Sequence, residues 1–80
     1  LSMTTALSLS VNKAPMKLSF LTETPETFQI YDKDGDEIIG RINTRLNLVE
    51  IHPIDFGKAR NITFDALRQI TEFVAPFSEK

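Results

Sequence analysis

Asp32, Asp34 and Asp36 alternate with Lys33 and Gly35, and Glu37 follows directly. Carboxylates spaced in this way are the oxygen donors that a hard divalent cation takes. His52 is the only histidine. Ser8, Ser10, Ser19 and Ser78 supply hydroxyls, but no Gly-x-Ser-x-Gly elbow marks one of them as a nucleophile. With no cysteine, a single histidine does not complete a zinc site. Lys58 and Arg60 lie in Gly57-Lys58-Ala59-Arg60-Asn61, just ahead of a predicted helix. Basic side chains beside free helical amides are able to hold a phosphate or a carboxylate. Neither a Walker loop nor an RNA-binding aromatic motif accompanies them, so a nucleic-acid partner is not favoured.

The run Asp32 to Asn43 resembles the calcium loop of EF-hand proteins. Asp32, Asp34 and Asp36 match loop positions one, three and five, and Ile39 matches the apolar position eight. Two positions depart from that pattern. Glu37 stands where the hinge glycine belongs, and Asn43 stands where the bidentate glutamate belongs. Asp32, Asp34 and Asp36 therefore predict a weak cation site at most. The run also sits on a predicted turn tip, where water screens charge and no burial raises a pKa. We expect no catalytic residue, no cofactor and no enzymatic activity.

The elements that must position these groups follow from periodicity. Two apolar runs, Phe28 to Tyr31 and Glu37 to Ile42, flank Asp34-Gly35, the strongest short-range hairpin signal. A type I turn on Lys33-Asp34, with Gly35 at positive φ, would pair Ile30 with Ile38. Phe28, Ile30, Ile38, Gly40 and Ile42 then share the inner face, and Gln29, Tyr31, Glu37, Ile39 and Arg41 the outer face. Alternation predicts strands near 5–11 and 16–22 and a loop over Thr22 to Glu26. A four-residue turn at Thr44 to Asn47 sets Arg41 opposite Glu50 and puts Val49 and Ile51 on the inner face. Pro53 ends that strand. His52 is expected to face solvent or Glu37.

Thr63 is the predicted N-cap of one helix, with Asp65 in its first turn. Asp65–Gln69 and Arg68–Glu72 are its i,i+4 pairs, and Pro76 is expected to stop it. The expected fold is α+β: an antiparallel meander of four to five strands with the C-terminal helix on one face. Leu67, Ile70 and Val74 should meet the sheet.

Eighty residues, nine basic and eleven acidic, suit one small domain spanning 1–80 with a mild net charge of −2. Leu1-Ser2 ahead of Met3 reads as a cloning remnant, with residues 1–4 tag-derived or disordered. No apolar run approaches the roughly 20 residues of a membrane helix, and no signal peptide is evident, so a cytoplasmic location is expected. The helix's apolar arc is broad for a helix on one sheet. It predicts a small non-enzymatic protein-interaction module, an adaptor, inhibitor or assembly subunit. Tyr31, Ile39, Leu48, Phe73 and Phe77 are the expected partner-binding residues. Phe73 and Phe77, with Ala66, should border an exposed patch or pack on Leu7 and Leu9, and a homodimer is the expected way to cover a patch. The alternative is a ligand-binding module, for a cation at Asp32–Asp36 or for a nucleic acid or other anion at Lys58 and Arg60.

Overall fold

Among the described residues, alternating apolar side chains build four antiparallel strands in sequential order, followed by one α-helix. The computed structural model describes residues 16–78. The strands are β1 (Leu18–Thr24), β2 (Thr27–Asp32), β3 (Glu37–Asn43) and β4 (Leu48–Ile51), and the helix is α1 (Phe64–Ser78). The fold is the expected α+β meander with its helix on one face. The predicted strand over 5–11, and with it Leu7 and Leu9, lies outside the described residues.

The turns use side-chain oxygens as acceptors. At the first, Thr24 pairs with Thr27, so the predicted loop from Thr22 shrinks to Pro25-Glu26. Thr24 Oγ1 accepts the Glu26 and Thr27 amides at 3.2 and 3.0 Å, which closes the turn without glycine. At the third, Asn43 Oδ1 accepts the Arg45 and Leu46 amides, both at 3.0 Å. The four-residue turn there sets Arg41 opposite Glu50 as expected.

The central hairpin departs from the predicted register. Its turn spans four residues, 33–36, between Asp32 and Glu37. The residue at positive φ is Asp36, at 55°, rather than Gly35. Asp32 explains the difference: its side chain folds over the turn and accepts the Asp34 amide at 3.1 Å. A Cβ on Gly35 would lie 2.8 Å from Asp32 Oδ2, so the glycine makes room for that carboxylate. Asp36 takes the left-handed position, which aspartate tolerates better than most residues.

The register then shifts between Ile30 and Tyr31. Ile30 pairs with Gly40 and Tyr31 with Ile38, leaving Ile39 as the extra residue of a bulge. A bulge re-aims a side chain. Ile39, expected on the outer face, is 0% exposed and joins Leu18, Ile30, Ile42, Ala66 and Ile70 in the core. Ile38, expected inside, is only half-buried.

Thr63 caps α1 as predicted: its Oγ1 accepts the Ala66 amide at 3.0 Å. Pro76 does not stop the helix, which continues to Ser78. The ring sits on the exposed side near the end of the helix, where few backbone bonds remain to be lost. The buried face is also rotated from the expectation. Ala66 and Ile70 are buried and Phe73 packs below them, whereas Leu67 is 51% exposed. The cause is an aromatic cluster. Phe73 stacks on Phe20 with centroids 4.2 Å apart and meets Phe28 edge-on at 5.0 Å, and Phe77 lies 5.8 Å from Phe28. Four rings of this size outweigh one leucine in deciding which side of a helix turns inward.

Candidate interaction surface

The two edges of the sheet are treated differently. On β1, Lys17 C=O accepts the Lys33 amide, so Leu18 directs its own amide away from β2. Gln69 reaches down from α1 to take it. Its Oε1 accepts the Leu18 amide at 3.1 Å and its Nε2 donates to Met16 C=O at 2.9 Å. The same Nε2 donates to Asp65 Oδ2 at 2.9 Å, which fixes the amide plane. Asp65 also accepts from Arg68, and this bond, then that from Gln69, holds its carboxyl below the usual carboxylate range. Arg68 in turn pairs with Glu72 at 3.0 Å. The two predicted i,i+4 pairs are thus present. The reach of Gln69 to the strand edge is not legible in the sequence, because nothing there says which strand lies under it.

No such cover lies over β4 among the described residues. His52 N–H donates to Ile39 C=O at 2.8 Å, which extends the ladder one residue beyond β4. Backbone groups alternate in direction along a strand, so Val49 and Ile51 present their N–H and C=O away from β3. Their side chains lie on the helix side of the sheet, with Val49 opposite Ile42 and Ile51 opposite Gly40. α1 crosses that face without reaching the edge. Val49 therefore remains 45% exposed, while Leu48, turned to the outer face beside Glu50, is 57% exposed. Between β4 and α1 runs a shallow open cleft lined by Ile42, Leu48, Val49, Val74 and Phe77. Leu67 lies two turns before Val74 on the same flank of the helix and continues the apolar surface.

The residues singled out in the sequence are distributed otherwise. Leu48 borders the cleft at the start of β4 with its side chain on the outer face, as expected. Phe77 lines the cleft floor while packing on Phe28 and Phe73. Phe73 is half-buried inside the aromatic cluster and Ala66 is fully buried, so neither forms an exposed patch. Ile39 is in the core and offers nothing to a partner. Tyr31 is half-buried and donates its hydroxyl to Asp36. That bond, then burial, then the charges of Asp36 and Asp32, hold the phenol above its usual 10.0.

The carboxylates do not converge. Asp32 is turned in to hold the Asp34 amide and Asp36 faces Tyr31. Among the described residues no group of three His, Asp or Glu side chains is placed to hold a metal ion. Arg60 is committed as well. Its Nε donates to His52 C=O at 2.8 Å and its Nη1 to Glu37 Oε2 at 3.1 Å, tying the connection to the start of β3. His52, with Glu37 taken, lies 3.5 Å from Glu50 instead. Lys58 is exposed in a short turn closed by a backbone bridge to Ile54. Phe56 at the tip of that turn is 98% exposed and holds φ 61°, a feature the sequence does not announce.

Among the described residues no helix is long and apolar enough to cross a membrane. Comparison with protein-family models, curated proteins and solved structures found no match.

Proposed function

We propose that this chain is a small protein-interaction module without catalytic activity of its own, and that its working surface is the cleft between β4 and α1. The observation that carries the reading is the exposure of Val49 on an edge strand with free backbone groups, beside a cleft whose helical flank carries the exposed Leu67. Apolar side chains give such a surface its affinity, and the row of amides and carbonyls gives it register and direction. The surface differs from the one expected from the sequence, since Phe73 and Ile39 have moved into the fold and Leu67 has moved out of it. The cation and anion alternatives have less support, because Asp32, Asp36 and Arg60 already serve the hairpin and the connection.

Site-specific photocrosslinking in the natural host tests the reading. A photoreactive residue at Leu67 or Val49 should capture a defined protein or a second copy of this chain, and one at Gln29 on the opposite face of the sheet should not. Capture from Gln29 alone, or from none of the three, would refute it.

A further inference from the structure

The surface carries a more specific assignment, which rests on the interaction reading above: we propose that β4 pairs antiparallel with β4 of a second copy about a two-fold axis at Ile51. The edge groups are suited to it. Val49 and Ile51 direct their backbone donors and acceptors outward, and β4 contains no lysine, proline or bulge of the kind that guards an edge. Pro53, the next outward-facing position, lacks an amide but keeps its carbonyl as an acceptor. The chain stays extended past it, with Ile54 at φ −83° and ψ −178°.

Symmetry leaves few registers. Side chains that meet across the axis must share a face of the sheet, so the centre lies on one residue. Centring on Glu50 sets it against its own copy, a like-charge contact at the closest pair of an antiparallel ladder. Centring on Val49 calls on Asn47, which sits in the turn at φ 58°. Centring on Ile51 sets Glu50 opposite His52 of the second copy and His52 opposite Glu50, two complementary contacts. Ile51 faces Ile51, and Val49 faces Pro53. Both Ile51 residues exchange backbone bonds, and each Val49 amide finds a Pro53 carbonyl. The product is a continuous eight-stranded sheet with both helices on one side. The apolar surfaces from Val49 to Leu67 meet between them, an isologous closure that leaves β4 no free edge.

Sedimentation of the full chain across a concentration series, with amide exchange at each end of it, tests the assignment. A dimer should form, and the Val49 and Ile51 amides should exchange more slowly as concentration rises. Val49→Pro removes an outward amide while sparing the bonds to β3, and should weaken the dimer roughly 10- to 100-fold through two lost hydrogen bonds. Glu50→Lys should weaken it as well, and adding His52→Glu should restore it by setting opposite charges across the new ladder. A chain that stays monomeric, with both amides unprotected, would overturn the proposal. So would a dimer indifferent to Val49→Pro and Glu50→Lys. In either case, capture of a different protein from Leu67 would leave the broader interaction reading standing.

Discussion

Replacing Gly40 by alanine should be among the most damaging single-methyl changes available in this chain. Gly40 sits mid-strand in β3, opposite Ile30 on one side and Ile51 on the other. A Cβ built there would lie 2.3 Å from the Glu50 carbonyl oxygen, 3.1 Å from Ile30 Cδ1 and 3.3 Å from Ile51 Cδ1. The isoleucine tips are able to rotate away. The carbonyl belongs to β4 and moves only if the strand moves. Relief to an ordinary contact of about 3.4 Å requires a shift of roughly 1 Å between β3 and β4, far more than a close-packed pair absorbs. Overpacking of this kind costs about 1–3 kcal/mol, and weakened ladder bonds at about 1 kcal/mol each raise the total to about 2–4 kcal/mol. Denaturant unfolding followed by circular dichroism measures it as a lower midpoint at unchanged slope. Gly57→Ala is the control. Gly57 has φ 73° with nothing within 4 Å of the added methyl, so only backbone strain of about 1–2 kcal/mol applies. A Gly40→Ala loss below about 0.5 kcal/mol, within the range of ordinary surface changes, would refute the close approach of β4 to β3.

Gln69→Leu should cost about 1–3 kcal/mol by leaving the Leu18 amide and Met16 carbonyl without partners, and the Leu18 amide should exchange faster; unchanged exchange would mean that Gln69 does not cover the β1 edge. Tyr31 should ionise above its usual 10.0 in a spectrophotometric titration, and Asp36→Asn should bring it back down. Because the folded value is raised, the contribution of Tyr31 is complete below the unfolded pKa and disappears as pH rises through the folded one. Phe73→Asp should unfold the chain, since it places a carboxylate within the aromatic cluster; a folded variant by circular dichroism would show that the rings do not support the helix.

Local pattern makes much of this fold legible. Alternation places three of the described strands to within a few residues, Thr63 marks the helix start, and the Thr44 to Asn47 turn sets Arg41 against Glu50. The departures arise where one residue's choice depends on distant neighbours. A single inserted residue at Ile39 exchanges the roles of Ile38 and Ile39, and a hydrophobic pair of equal size gives no local sign of which one turns in. The helix face is ambiguous in sequence because the apolar arc is broad. Only Phe20 and Phe28, far away in the chain, decide that Phe73 turns inward and Leu67 does not. The acidic run looks like a ligand set because spacing alone does not reveal that Asp32 bends back over its own turn.

The sequential strand order has a consequence for folding kinetics. Every strand pairing closes a short connection, so hairpin formation incurs little loop-closure entropy and proceeds early. The bond from Gln69 to Leu18 joins residues 51 positions apart, and the ring stack from Phe73 to Phe20 spans a similar separation. Docking of α1 onto β1 is thus the last pairing to close, and these contacts form after the transition state if the hairpins are its nucleus. Weakening them then speeds unfolding and leaves the refolding rate nearly unchanged, whereas weakening the β2–β3 pairing slows refolding. The helix in this arrangement acts as a clasp whose strength sets how long the native state lasts rather than how fast it is reached.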